Sequence, residues 1–255
     1  VKQGLLASLL LAIALAPPLA LAQAAAPPPS MGSTAVDPAA IQALKDMGAY
    51  LQRLNRFRVS TQLTGERVLA DGQKLQHTAS AVLDVARPNR LHARMSSARS
   101  VRELFYDGRQ ATLHSPAQEF YSTVEFSGSL AELIDRLEQR YGVEMPLADL
   151  FLWGTAAAPA DGIESAMNAG QDFIGGELCD HFAFRQGKLD WQIWIAAGGK
   201  PLPRKLVITN RADEARPQSV SLIEWQLKPG FPDSIFTFVP PKGSKSVELR
   251  ALDGK

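Results

Sequence analysis

The chain has 255 residues, 45% of them apolar, with 27 Lys+Arg against 26 Asp+Glu and a single Cys. That charge balance lacks the basic excess or basic stripe of a nucleic-acid binder. The lone Cys excludes an intramolecular disulfide, so a core of its own must hold the fold, and the apolar content is ample for one domain.

Residues 1–22 read as a secretory signal. Lys2 is the only charge there, Leu5 to Leu15 is an apolar core, and Ala20-Leu21-Ala22 offers an Ala-x-Ala cleavage site before Gln23. The apolar run falls well short of the roughly 20 residues that span a bilayer. A lipid anchor needs a Cys directly after the cut, and Cys179 lies far downstream. The expected product is therefore a soluble periplasmic protein, not lipid-anchored. Loss of Lys2 takes the basic count from 27 to 26 and the formal net charge to zero. Residues 23–36, rich in Ala, Pro and Ser, read as a disordered linker.

Asp37-Pro38 opens a helix, with Asp as N-cap and Pro at the first helical position. Ile41, Leu44, Gly48 and Leu51 place an apolar stripe along it, and it is expected to end near Asn55. From Phe57 the period changes to two, with Phe57, Val59, Thr61 and Leu63 on one side. Turn signals at Asp71-Gly72, Arg87-Pro88-Asn89 and Asp107-Gly108 divide the stretch to Phe126 into five or six antiparallel strands. Ser129 followed by Glu132 forms a capping box, and Leu130, Leu133, Ile134 and Leu137 give the ensuing helix its apolar face, with Gly142 beyond its end. A short apolar segment, Pro146 to Phe151, precedes a loop over residues 154–162.

The second meander centres on a hairpin, His-Phe-Ala-Phe-Arg-Gln (181–186) followed by Asp-Trp-Gln-Ile-Trp-Ile (190–195). A turn at Gln186-Gly187 predicts that Phe182 faces Trp191 and Leu178 faces Ile195. One face then carries Leu178, Phe182, Phe184, Leu189, Trp191, Ile193 and Ile195. The other carries His181, Ala183, Arg185, Lys188, Asp190 and Gln192. Strands at Leu202 to Thr209 and Gln218 to Leu227 follow, then Phe236-Thr-Phe-Val-Pro-Pro-Lys-Gly243. The hairpin, together with Pro-Leu-Pro-Arg-Lys-Leu-Val-Ile-Thr (201–209), resembles a family of predicted periplasmic bacterial proteins of unknown function. That family is grouped with the LolA/LolB-like lipoprotein carriers. The resemblance runs from about Asp37 to Leu249. It implies an α+β, mainly antiparallel fold, an open half-barrel of about 10–11 strands with helices over its concave face. It also implies a terminal strand near Phe236. A single domain at 37–249 and a frayed tail at 250–255 complete the expected organisation.

The residues offer little chemistry. His77, His92, His114 and His181 sit on separate strands, and no Zn signature, P-loop or Gly-x-Ser-x-Gly elbow occurs. Cys179 and His181 share a face, yet no third group orients them, so Cys179 reads as packed against Trp194 and His181 as a surface residue beside Gln192. No catalytic residue, metal or cofactor is expected. The apolar face mixes large residues with small ones (Thr61, Ala79, Ala81, Ala93), which leaves room for an apolar ligand. The expected cavity residues are Phe57, Val59, Leu63, Leu83, Met95, Phe105, Phe120, Leu133, Ile134, Leu137, Phe182, Phe184, Trp191 and Ile193, with Asp180 and Arg204 as polar candidates. The resulting expectation is a non-enzymatic carrier for a lipid or a lipoprotein acyl chain, with an envelope or membrane protein as possible partner. Its alternative is an interaction module with a filled core.

Overall fold

The computed structural model describes residues 35–252; the expected signal segment and all of the linker up to residue 34 lie outside them. Asp37 caps the first helix as its sequence predicts: its carboxylate accepts the Ala39 N–H at 2.8 Å, and α1 runs Pro38–Arg53. Ala40, Leu44, Met47, Gly48 and Leu51 form its buried stripe. Six antiparallel strands follow: β1 (Arg56–Val68), β2 (Lys74–Ala86), β3 (Arg90–Ser96), β4 (Val101–Tyr106), β5 (Gln110–Ser115) and β6 (Phe120–Glu125). Helix α2 (Leu130–Tyr141) begins with the Ser129–Glu132 capping box and stops at Gly142, whose φ of 62° suits a residue without Cβ. A one-turn 3-10 helix at Ala148–Phe151 leads to the second meander. Its strands are β7 (Ile163–Ile174), β8 (Glu177–Gln186), β9 (Leu189–Ala196), β10 (Pro203–Asn210) and β11 (Gln218–Gln226), and a two-residue β12 (Lys245–Ser246) comes last.

All twelve strands belong to one sheet, in the order β12-β6-β5-β4-β3-β2-β1-β11-β10-β9-β8-β7. The two meanders join where β1 pairs with β11, Thr61 opposite Ile223. β12 and β7 are not paired with each other, so this is the open, helix-covered antiparallel half-barrel that the sequence implies. Its concave face is set by alternation. Phe57, Val59 and Thr61 of β1, Ala81, Leu83 and Val85 of β2, and Phe182 and Phe184 of β8 are buried there beneath α1 and α2.

Three local expectations change. The hairpin loop is Gly187-Lys188, so Phe184 faces Trp191 and Phe182 faces Ile193. The predicted register would set Arg185 opposite Lys188. The observed one sets Arg185 against Asp190, with hydrogen bonds of 2.8 and 3.3 Å, and stacks Phe184 on Trp191 with centroids 4.0 Å apart. The shift is two residues, so every side chain keeps its face. The terminal strand expected near Phe236 is a 3-10 turn, Asp233–Phe236, and Phe238 packs instead on Phe105, His114 and Tyr121. Finally, the described ends of the chain are tied down. Val36 bridges Ala166 in parallel, the Val247 N–H donates to the Tyr121 carbonyl at 2.9 Å, and the Leu252 N–H donates to the Arg140 carbonyl at 2.8 Å.

Candidate functional site

Between the concave face and its cover lie two adjoining cavities. One, of about 640 Å³, is walled by Trp191 and Ile193 of β9, Leu206 and Ile208 of β10, and Ile223 of β11, and covered by Met145, Leu147, Leu150 and Trp153. The other, of about 860 Å³, lies towards the β1–β2 turn, among Leu63, Ala79, Met95, Val143 and Met145. Both are lined by Leu63, Glu144, Met145 and Ser219. Each volume falls within the roughly 300–1,000 Å³ of small-molecule sites. The space arises because Ser219 and Ser221 stand at inward positions of β11, opposite Gly65 and Leu63, where larger residues would meet the cover.

The cover is held from both sides. Trp153 approaches Trp191 at 6.2 Å between centroids. The Gln52 amide on α1 donates to the Trp153 carbonyl at 2.6 Å. Gln186 accepts the Trp191 indole N–H at 3.1 Å and donates to the carbonyls of Pro159 and Asp161, which joins the hairpin to the loop beyond the cover.

Charge enters the smaller cavity at Asp149. Its side chain is exposed, yet the protein packed around the carboxyl desolvates it, and that, with the Glu138 carboxylate adding to it, raises its pKa above the ordinary range. Glu144 and the Gln186 amide also line the cavity, and the rest is hydrocarbon, aromatic rings and small hydroxyls, a surface suited to an apolar chain.

Of the residues expected to line a ligand site, the structure brings together Leu63, Met95, Trp191 and Ile193 on the two cavities. Leu83 lines a third space of about 60 Å³ beneath Met145. Phe57, Val59, Leu133, Ile134, Leu137, Phe182 and Phe184 lie in the packed core instead. Phe105 belongs to the opposite face of the sheet. It pairs with His92 and stacks on it at 4.5 Å, while Leu104 and Tyr106 take the inward positions. Phe120 stands 42% exposed at the sheet margin. Asp180 does face inward but accepts from Gln171 at 2.8 Å, away from either cavity. Arg204 falls at a register irregularity between Pro203 and Lys205, which takes it out of alternation, and its Nε lies 2.9 Å from Glu177 Oε2. Asp180 and Arg204 therefore do not pair with each other.

Cys179 is buried with Trp194 and Val207, and burial raises its thiol pKa, the reverse of what a nucleophile needs. His181 stacks on Trp194 at 4.0 Å and holds Gln192 at 3.0 Å, as a structural residue does. Among the described residues no group of three His, Cys, Asp or Glu is placed to hold a metal ion.

The sequence marks Pro146 to Phe151 as a short apolar segment and Leu206 and Ile208 as one side of a strand, but it assigns neither these nor the inward residues of β11 to the ligand site. Leu147, Leu150 and Trp153 recur every third residue, but the run is too short to say what it covers, so nothing marked it with Met145 as one wall.

Residues 40–250 match the sequence profile of a family described as "Predicted periplasmic protein (DUF2092)". No curated protein matches the chain in sequence. Among solved structures, the chain is similar to LprF from Mycobacterium bovis, at 12% identity and TM-score 0.43, over 82% of this chain and 99% of that one. It is also similar to the lipoprotein LppX from Mycobacterium tuberculosis, at 11% identity and TM-score 0.39, over 74% and 94%. A LolA superfamily protein from Nitrosomonas europaea is similar at 11% identity and TM-score 0.35, over 78% and 97%.

Proposed function

This chain belongs to the DUF2092 family of predicted periplasmic proteins, and on that premise we propose that it is a soluble, non-enzymatic carrier that shelters an acyl chain, free or borne by a lipid or lipoprotein. In this reading residues 1–22 direct export and are removed, and the mature protein carries no lipid anchor. The observation that carries the proposal is the pair of adjoining apolar cavities under the 144–153 cover. Protein interiors close-pack by default, so a concave sheet face kept open by inward serines and by a cover resting on Trp191 is space with a use. A chain lying there exchanges water for Leu63, Met145, Leu206 and Ile208, at about 0.8 kcal/mol per buried methylene.

Protein purified natively from a periplasmic extract tests this. Its solvent extract, read by mass spectrometry, should hold an acyl lipid in near-stoichiometric amount, and the intact mass should place the N-terminus at or near Gln23. An empty extract, with delipidated protein that takes up no fatty acid, contradicts the carrier and leaves a protein that acts through its surface.

A further inference from the structure

The larger cavity differs from the smaller in what rims it. Arg99, in the turn after β3, and Arg102, on β4, both line it and are both exposed. Arg102 sits opposite Met95, an inward residue, so it belongs to the concave side. His77 lines the same cavity from β2, above Gly65, where a Cβ would come within 2.7 Å of the His77 Nε2; Gly65 gives the ring its room.

Some of the described guanidinium groups are paired with carboxylates and others, such as Arg53, Arg67, Arg109 and Arg216, are not; what sets Arg99 and Arg102 apart is that they stand unpaired on a cavity rim. Arg56, Arg58, Arg90, Arg94, Arg185, Arg204 and Arg211 each lie within 4.0 Å of a carboxylate. Among the described residues neither Arg99 nor Arg102 makes a side-chain hydrogen bond or an ion pair, even with Glu144, the one acidic residue on that wall. The rim thus holds two unpaired cations against one anion, directly beside hydrocarbon from Leu63, Ala79, Met95 and Met145.

We propose that Arg99 and Arg102 receive the anionic headgroup, phosphate or carboxylate, of an amphiphile whose chain runs past Leu63 and Met145 to Trp191. The proposal rests on the carrier reading and names its ligand class. A guanidinium presents a planar fork that meets an oxyanion with two parallel hydrogen bonds, and two such forks at one rim favour a headgroup that is both charged and rich in oxygen. A neutral head gains nothing from them, and a cationic head is repelled. Placing the head at the rim also keeps it in water while the tail is buried, so no charge is desolvated beneath the cover.

The test compares dodecyl phosphate, dodecanoate, monododecanoylglycerol and inorganic phosphate on the delipidated protein by calorimetry. The two anionic amphiphiles should bind at least about tenfold more tightly than the glycerol ester, a preference that two charge-assisted contacts can supply. It should shrink as salt rises. In Arg99→Gln/Arg102→Gln the preference should fall to near one, with the glycerol ester bound as before. Equal binding of charged and neutral amphiphiles by the wild type, or an intact preference in the double variant, overturns the headgroup site and leaves the carrier standing. Inorganic phosphate bound as tightly as dodecyl phosphate also overturns it, since the rim would then be a free-anion site. If no amphiphile binds at all, the carrier reading and this inference fall together.

Discussion

Gly48 on α1 and Gly154 at the end of the cover are in backbone contact: a Cβ on Gly48 would lie 2.6 Å from the Gly154 nitrogen, and one on Gly154 would lie 2.5 Å from the Gly48 carbonyl oxygen. Gly154 also takes a φ of 81°, a conformation that residues with a Cβ rarely adopt. The cover over the cavities is therefore seated on α1 through two residues without side chains, and the Gln52 hydrogen bond to the Trp153 carbonyl lies one turn along the same helix.

Gly48→Ala should lower stability although Ala is the better helix former. The clash costs about 1–3 kcal/mol as overpacking, against about 1 kcal/mol of helix propensity gained. Urea unfolding followed by circular dichroism measures the balance. Gly154→Ala should cost more, since it adds an unfavourable φ to the same clash. Wild-type midpoints in both variants would mean that the cover does not rest on α1 in solution.

The α2 leucines and the cover segment separate stability from binding. Leu133 and Leu137 are 1% and 2% exposed and touch core, whereas Met145 lines both cavities. Leu133→Ala and Leu137→Ala should each cost about 2–5 kcal/mol, with acyl-probe affinity per folded molecule near that of the wild type. Met145→Glu, at a half-buried position, should lower the melting temperature less than either leucine variant and weaken probe binding at least about tenfold by a charge on the apolar wall. Affinity lost through α2 and kept with Met145→Glu would move the binding wall to α2.

Asp149 sets a pH dependence whose sign follows from its raised pKa. The fold disfavours the ionised carboxylate, so the penalty is fully present above the folded-state pKa. It disappears as pH falls below the unfolded value of about 3.9. Asp149→Asn should therefore melt above the wild type at pH 8, and the gap should close on acidification. A variant that melts lower at pH 8 would show that the carboxylate makes a stabilising contact.

Much of this was readable in advance where a local rule and the tertiary fold agree. Asp37-Pro38, Ser129-x-x-Glu132 and Gly142 mark helix ends because backbone groups there need those partners wherever the helix packs. The hairpin faces survived a wrong register because a two-residue shift preserves alternation. Phe105 was assigned to the wrong face because Leu104, Phe105 and Tyr106 are all large and apolar, and a run without alternation does not say which side is wet. Arg204 was lost to a register irregularity, a feature of the pairing rather than of the residue. The ligand wall was legible on the sheet at Leu63, Trp191 and Ile193. It was illegible on the cover, where tertiary packing alone brings Met145 and Trp153 over β9.

The central claim is that the space beside Trp191 takes an acyl chain, and energy transfer from that indole to cis-parinaric acid tests it most directly. On titration of delipidated protein, Trp emission should be quenched to saturation near one ligand per chain. The quenching should diminish in Trp191→Phe and diminish further in Trp191→Phe/Trp153→Phe, since Trp153 lines the same cavity. Ser221→Phe, which fills the smaller cavity from an inward position on β11, should keep the fold and abolish the saturable phase. Unsaturable quenching, or saturable quenching indifferent to both Trp191→Phe and Ser221→Phe, would contradict a ligand in this cavity.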